Sequence, residues 1–315
     1  MGAFLLRRIL FGIFSVWCIS VLVFIIYFVI PPGDPAQRLA GKNPTPERIS
    51  EIRKKWAFDK SLVTQYTLMM RRTMTGTLVS EVDGSNVTQI ILRSLPTTIS
   101  LAVFAAIIWL AIGVTIGIKG ALSPGTKTER LLNLGALVGI SVPMAWLSIY
   151  SLKVWTDMIP IFPAGGYMSI QEGGIFLWMY HILLPATTLA VVFAGVYARM
   201  SRSNVRGALQ AEHVKTAVAK GLPWPRVFGQ HVLRTGMIPI VVMLGLDIAG
   251  LLGGAIFTET IFGLPGLGMV MFSAIGTGDF TFIIVGAMVA AAFVVIANIL
   301  VDLAQAAIDP RIRLA

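Results

Sequence analysis

The stretch SLPTTISLAVFAAIIWLAIGVTIGI, at residues 94–118, contains no charged side chain. A helix that crosses the roughly 30 Å hydrocarbon core of a bilayer needs about 20 apolar residues, so this stretch is long enough to span a membrane. The composition of the whole chain agrees, because 56% of its residues are hydrophobic and only 13% are charged. The sequence therefore indicates a polytopic membrane protein.

Five more apolar stretches of similar length divide the rest of the chain. Four carry no charge and one is interrupted only by Asp247; they are residues 9–33, 131–152, 173–198, 280–301 and 235–258. We expect an all-α fold with six transmembrane helices, and an even number places both termini on one side. The predicted segments are an N-terminus 1–8, helices 9–30, 96–120, 132–154, 176–199, 233–258 and 280–304, external loops 31–95, 155–175 and 259–279, cytoplasmic loops 121–131 and 200–232, and a tail 305–315, with a core domain at 96–304.

The basic residues predict the orientation. Of the 25 Lys and Arg residues, 14 lie in the N-terminus, the loop after the second stretch, the segment 199–234 and the tail. Short cytoplasmic loops are enriched in Lys and Arg, so these parts are expected in the cytoplasm. The loop 31–93 is also basic, but loops of about 60 residues cross the membrane largely regardless of charge, so it is expected outside. Membrane topology thus explains the net charge of +10, and nucleic-acid binding is not expected.

The external loop contains a predicted amphipathic helix. Thr45 is a typical N-cap, Pro46 suits the first helical position and Glu47 places an acid in the first turn. The apolar positions that follow at helical spacing are Ile49, Ile52 and Trp56. The helix is expected to lie on the membrane or on the protein's own outer surface, or alternatively to contact a partner or substrate.

Several enzyme classes lack their characteristic residues in this chain. No G-x-x-x-x-G-K-[ST] phosphate loop occurs, so any use of ATP would require a partner. The three histidines and the single cysteine, Cys18, show no metal-ligand spacing, and no G-x-S-x-G nucleophile motif is present. We therefore expect no catalytic residue, no metal site and no cofactor bound by this chain.

Two acids lie inside apolar stretches, where a buried charge is costly and often marks an ion pathway. Asp302, near the cytoplasmic end of the last stretch, is expected to reach the interface or to pair with an arginine. Asp247, in the middle of the fifth stretch, is expected to line a water-filled pathway or to pair with a cation on another helix. An ion-coupled secondary transporter is therefore the distant alternative function.

The cytoplasmic segment contains a predicted short helix in the sequence EHVKTAVAKG. Glu212 lies at its N-terminal end, where the helix dipole favours a negative charge, and Gly221 suits the left-handed position that ends a helix. The residues that share helical spacing are Val214, Ala217, Val218 and Gly221. This helix either packs on its own bundle or docks onto a cytoplasmic partner.

Glycines shape the end of the chain. Gly263, Gly266 and Gly268 surround Pro265 and are expected to prevent a regular helix between the last two spans, leaving an external turn or a re-entrant piece. Pro265, Gly266 and Gly268 are therefore candidates for an external gate, with a tight connection as the simpler alternative. The glycines of the fifth stretch are expected to permit close packing against another subunit; they are Gly245, Gly250, Gly253 and Gly254.

Separated motifs, in the same order, resemble those of the permease subunits of bacterial dipeptide and oligopeptide ABC importers. The matching stretches are RR at 7–8, PGDP at 32–35, SLPTT at 94–98, EHVKTAVAKG at 212–221 followed by IP at 238–239, ETIFGLPGLG at 259–268, and DPRIR at 309–313. His213 departs from the second position of the E-A-A signature, and residues 75–84 lack the Gly-Asp-Leu-Gly of such loops.

The resemblance implies a type I ABC importer permease in the bacterial inner membrane, with both termini cytoplasmic. It implies a coupling helix, docked in an ATPase subunit, that contains Glu212, His213, Val214, Ala217, Val218 and Gly221. The implied partners are a second homologous permease, two ABC ATPases that bind ATP and Mg²⁺, an extracytoplasmic solute-binding protein, a peptide substrate and membrane lipid. Nickel or another small solute is the alternative cargo.

Overall fold

The computed structural model describes residues 2–41, 44–252 and 255–308, and their regular structure is helical. The α-helices are α1 (Gly2–Phe24), α2 (Pro35–Leu39), α3 (Pro46–Lys55), α4 (Leu62–Met74), α5 (Val87–Leu122), α6 (Lys127–Ser141), α7 (Met144–Leu152), α8 (Ile170–Leu209), α9 (Glu212–Ala219), α10 (Trp224–Val227), α11 (Arg234–Leu252), α12 (Ile256–Ile261), α13 (Leu267–Thr277) and α14 (Phe280–Ile308). Three π-helical turns extend α1, extend α7 and join α10 to α11; they are Ile25–Val29, Lys153–Met158 and Phe228–Leu233.

Five helices within the described ranges are long and apolar enough to cross a membrane. They are Leu6–Val29, Val87–Leu122, Ile170–Leu209, Trp224–Leu251 and Phe280–Leu303. The third predicted stretch differs, because its residues form two helices, Glu129–Gly139 and Met144–Met158, bent by 95°. Pro143 lacks an amide proton and keeps Val142 in an extended conformation, which breaks the helix. The described chain thus has five spans, or six if the bent pair crosses the membrane as one unit.

Helices α5 and α8 form the centre of the bundle. A Cβ atom added to Gly113 would lie 2.8 Å from the carbonyl oxygen of Ala194, and one added to Gly117 would lie 2.6 Å from that of Ala198. Such contacts require glycine, because any side chain would push the two backbones apart. The glycines of α5 therefore fix its position directly against the backbone of α8.

The helix predicted in the loop 31–95 is confirmed as α3, Pro46–Lys55. The Thr45 hydroxyl accepts a hydrogen bond from the amide of Arg48 at 3.3 Å, so Thr45 is the N-cap. Ile52 and Trp56 are buried in an apolar cluster with Phe28 of the turn after α1. The helix therefore packs on the protein itself, beside the end of the first membrane helix.

A buried carboxylate strengthens this attachment. Glu81 accepts a hydrogen bond from the indole of Trp56 at 2.9 Å. Arg48 and Lys55 also contact its carboxylate, at 3.1 and 2.7 Å. A buried charge with three donors is well compensated, so α3 is attached by both apolar and ionic contacts.

The last helix packs against α11 and α1. A Cβ atom at Gly245 would overlap Val301 of α14, so this glycine serves packing within the chain and the expectation that it faces another subunit is wrong. At Gly250 no atom lies within 4 Å of such a Cβ. The other predicted features here, Gly253, Gly254 and the DPRIR sequence at 309–313, lie outside the described residues.

The pairing expected for Asp302 is confirmed. Its Oδ2 atom lies 3.0 Å from Nε of Arg8, and its Oδ1 atom accepts a hydrogen bond from Nη2 of the same arginine at 3.1 Å. This bidentate ion pair joins the beginning of α1 to the end of α14. Arginine is suited to such a geometry because its donors form a planar fork.

Candidate coupling helix and external gate

The predicted cytoplasmic helix is present as α9, Glu212–Ala219. Gly221 has φ +75°, the left-handed conformation expected after the helix end. Pro223 then caps the next helix, α10, with extended backbone angles. Local sequence chemistry thus determines the C-terminal end of α9, whereas Ala211 at its N-cap position makes no side-chain hydrogen bond.

One face of α9 is buried against the chain itself. Val214 and Ala217, two of the predicted docking residues, are 3% and 4% exposed. They belong to a small apolar cluster, hereafter the seat, formed by Ala121, Val205, Ala208, Val214, Ala217, Val227 and Val232. These two residues therefore hold the helix on its own bundle, as one of the two alternatives predicted, and docking onto a cytoplasmic partner stays a prediction.

The opposite face of α9 is exposed and polar. Glu212 and His213 are exposed, and Val218 is 52% exposed. The Lys215 ammonium lies 2.7 Å from the Glu212 carboxylate. The exposed part of the predicted docking set is thus Glu212, His213 and Val218, followed by Gly221.

Short connections join α9 to two long helices. Only Gln210 and Ala211 separate it from α8, and the helical segment Trp224–Leu251 begins soon after Gly221. Because the seat also contains residues of α5 and α8, a force on α9 acts on three membrane-crossing elements at once. This arrangement is suited to transmit the movement of a docked partner.

The second candidate region is the turn between α12 and α13. The expectation of no regular helix here is wrong, because α13 begins directly after Gly266 and includes Gly268. The first amides of a helix lack partners within it and need other acceptors. Side chains from other helices supply them here, and this allows a helix to start at a glycine.

A buried carboxylate lies at the centre of this turn. Glu259 of α12 is fully buried, and its Oε1 atom accepts a hydrogen bond from the Thr98 hydroxyl at 2.8 Å. Its Oε2 atom accepts one from the amide of Met269 at 3.0 Å. The amide of Leu267 donates to the Thr98 hydroxyl oxygen at 2.8 Å. Burial raises the pKa of the Glu259 carboxyl above its usual range, and the hydrogen bonds from Thr98 and Met269 oppose this shift.

The carboxylate explains two of the predicted gate residues. A Cβ atom at Gly266 would overlap the Glu259 carboxyl group, and one at Gly268 would lie 2.9 Å from its Oε2 atom. Pro265 is exposed beside them. Glu259 and Thr98 were not among the predicted site residues, although both lie in motifs that carry the resemblance, at 259–268 and 94–98. The hydrogen bond between them brings these two motifs together.

An open cavity of about 400 Å³ lies beside α13. Its wall combines polar and apolar side chains from α13, the start of α14 and the segment before α5. Among them are Asp83, Pro265, Met269, Ser273, Thr277 and Asp279. Asp279 is held by the hydroxyl of Ser80 and by the amide of Thr281 at 3.0 Å. Helix α13 therefore forms a large part of the wall of this cavity.

Asp247 lies in α11, between the two regions along the chain, and its hydrogen bond goes to neither of them. Its Oδ2 atom accepts a hydrogen bond from the hydroxyl of Tyr197 at 2.7 Å. Tyr197 is fully buried next to Trp109, which stacks on Phe193 at a centroid distance of 4.6 Å. The observed partner of Asp247 is thus the phenol of Tyr197 in α8, which was not among the predicted site residues.

Metal binding has no support in the described part of the chain. Within residues 2–41, 44–252 and 255–308, no group of three or more His, Cys, Asp and Glu side chains could hold a metal ion.

Comparison with known families identifies the architecture. The family described as "Binding-protein-dependent transport system inner membrane component" matches residues 111–314, and its N-terminal companion matches residues 1–102. The chain belongs to this family. It is thus a multi-pass permease subunit of a binding-protein-dependent transport system, and membership implies ATPase and solute-binding partners.

Full-length relatives agree with this assignment. The permease is 32% identical to the dipeptide transport system permease protein DppB of Alkalihalophilus pseudofirmus, over 99% of this chain and 100% of the relative. It is 28% identical to the oligopeptide transport system permease protein AppB of Bacillus subtilis, also over 99% and 100%. The similarity therefore includes the long segment between the first two membrane helices as well as the membrane core.

A solved structure supports the fold. The permease resembles a chain of the MetNI methionine ABC transporter in an inward-facing conformation, with a TM-score of 0.51 and 17% identity. The match covers 72% of the permease and 96% of that chain.

Proposed function

We propose that this permease forms, with a second homologous permease, the membrane pathway of an ATP-driven importer for dipeptides and oligopeptides. An external solute-binding protein delivers the cargo. The observation that carries this proposal is the full-length similarity to permeases named for dipeptide and oligopeptide transport. The separated motifs, including the external PGDP and ETIFGLPGLG sequences, point to the same substrate class.

The exposed face of α9 is the proposed contact with an ATPase subunit. Glu212, His213 and Val218 are available for contact, and Val214 and Ala217 hold α9 on its seat. ATP and Mg²⁺ are bound by the ATPase partners, and this chain carries out no hydrolysis. Closure of the ATPase dimer moves α9, and the attached helices then open the pathway on one side of the membrane at a time.

The proposed orientation places α9 and both termini in the cytoplasm and the segment of α2 to α4 outside. The basic residues of the segment 199–234 support this, because short cytoplasmic loops are enriched in Lys and Arg. The orientation also places α9 where cytoplasmic ATPases reach it.

Affinity purification in mild detergent tests the proposed coupling. The permease carries a tag, and the wild type is compared with Glu212→Arg, which reverses the charge on the exposed face of α9. The matched control is Glu47→Arg, the same change at an exposed glutamate of α3. Mass spectrometry identifies the recovered chains, and an ATPase assay measures hydrolysis.

We expect two ATPase chains and a second permease with the wild type and with Glu47→Arg, and their loss or uncoupling with Glu212→Arg. Proteoliposomes that contain the wild-type complex, supplied with its solute-binding protein, should accumulate labelled trialanine only with ATP. A wild type that is recovered alone and transports without ATP would contradict the proposal and would make Asp247 the next residue to substitute.

A further inference from the structure

We propose that Thr98 and Glu259 form a clamp that positions α13, the gate helix, and passes movements of the central helices to the external cavity. The inference rests on the proposed function, because its consequence for transport requires a pathway. Both side chains are fully or almost fully buried, so they act as positioning residues that the cargo does not touch.

The clamp replaces a local helix cap. Gly266, at the N-cap position of the gate helix, has no side chain to accept from the first amides. The amides of Leu267 and Met269 instead donate to Thr98 and Glu259, which belong to α5 and α12. The bond between Leu267 and Thr98 joins residues 169 positions apart and attaches the start of the gate helix to α5. The position of the gate helix therefore follows that of α5.

The gate helix is held at both ends and exposed between them. At its far end, Gly278 is left-handed and the next residue, Asp279, accepts hydrogen bonds from Ser80 and Thr281. Between the two ends, Phe272 and Ile275 are more than half exposed. The other side of the helix packs in an apolar cluster through Leu267, Val270, Met271 and Ala274. Apolar packing is non-directional, whereas hydrogen bonds are directional, so the polar attachments at its ends determine where the helix lies on that cluster.

A continuous packed route connects the clamp to α9. The seat of α9 contains Ala121 at the end of α5 and Val205 of α8. Gly113 and Gly117 keep α5 in direct backbone contact with α8. Thr98 lies on the same helix, α5, toward its other end. A shift of α5 relative to α12 thus strains the bond from Thr98 to Glu259 and displaces the start of the gate helix.

Hydrogen exchange of the purified importer complex tests the clamp directly. The peptide that contains residues 264–277 reports the amides of Leu267 and Met269. Thr98→Val keeps the shape of the side chain but removes its hydroxyl, whereas Thr98→Ser retains a hydroxyl. Glu259→Gln replaces one carboxylate oxygen with an NH₂ group, which then faces either the Thr98 hydroxyl or the Met269 amide, both of which donate to Glu259. The matched control is Thr188→Val, which removes a buried threonine hydroxyl of α8 that bonds to Ser151 and Leu184.

We expect exchange of this peptide to rise about 5- to 30-fold in Thr98→Val and Glu259→Gln, the range that corresponds to losing one buried hydrogen bond. Thr98→Ser and Thr188→Val should exchange like the wild type. Labelled trialanine taken up per ATP hydrolysed should fall in the same two variants, with assembly of the complex unchanged.

The proposal is overturned if exchange stays at the wild-type rate in both clamp variants, or if Thr188→Val raises it equally. It is also overturned if exchange rises while uptake per ATP stays constant. A wild-type complex that takes up no peptide would instead refute the proposed function, and the exchange rates alone would then decide whether the clamp exists.

Discussion

The proposed coupling helix α9 and the proposed gate helix α13 are both short, and they lie near opposite ends of α5, but different interactions hold them. Val214 and Ala217 place α9 on an apolar seat, and its polar side chains are left exposed. The gate helix also has a packed apolar side, which includes Leu267 and Ala274, but polar groups hold its start. A buried carboxylate and a buried hydroxyl hold its first turn, and apolar side chains lie exposed farther along it.

This difference fits two mechanical tasks. Apolar packing is non-directional, so it tolerates small displacements of a helix on which a docked partner exerts a force. Buried hydrogen bonds are directional and costly to leave unmade, so they favour discrete positions and suit a gate. The substitutions below test whether the stability of each region depends on how its polar groups are buried rather than on charge alone.

The largest effect is expected for Ala217→Asp. It places a carboxylate in the seat without any partner, which costs roughly 3–5 kcal/mol for an uncompensated buried charge. Ala219→Asp, on the exposed side of the same helix, should change stability by at most about 1 kcal/mol. Thermal unfolding in detergent measures both, and equal losses would show that the seat is not the support of α9.

Gly266→Ala should destabilise the protein by about 1–3 kcal/mol, because the added methyl group overlaps the Glu259 carboxyl group. Gly276→Ala, in the same helix, meets no atom within 4 Å and should stabilise it by roughly 0.5–1 kcal/mol. The opposite signs are measured by thermal unfolding. A neutral Gly266→Ala would contradict the tight fit around the carboxylate.

The pH dependence of stability isolates Glu259. Because its pKa is raised in the folded state, the ionised form is disfavoured there, and stability increases as pH falls through the folded pKa toward the usual value of about 4.3. Glu259→Gln cannot titrate, so the wild type should gain stability relative to this variant over that window. A difference between the two proteins that stays constant with pH would contradict the expectation.

The smallest effect is expected for Asp302→Asn. The ion pair with Arg8 is partly solvated, because the arginine side chain is 42% exposed and the aspartate side chain 20%. Its loss should cost about 0–1 kcal/mol and should matter less at high salt. Unfolding midpoints at low and high ionic strength measure this. A loss of unfolding free energy above about 2 kcal/mol would show that a partly exposed ion pair contributes as much as a buried polar group.

Local sequence patterns predicted helix ends correctly where cap residues and glycine conformation determine them. Thr45 and Pro46 correctly predicted the start of α3, and Gly221 correctly predicted the end of α9. They failed at α13, because Gly266 and Gly268 read as helix breakers while the acceptors for the new helix come from Thr98 and Glu259. Tyr197 was missed for the same reason, since nothing near it in sequence indicates Asp247 as its partner.

The sequence by itself determined the apolar stretches, the helical class and the short helices that have their own caps, because these depend on neighbours within a few residues. Only the tertiary structure decided which face of α9 is buried, that Gly245 packs on Val301, and that Thr98 meets Glu259 across 161 positions. These contacts depend on how long helices pack against one another. A side chain's residue type states what it can bond, but the packing of the bundle selects its partner.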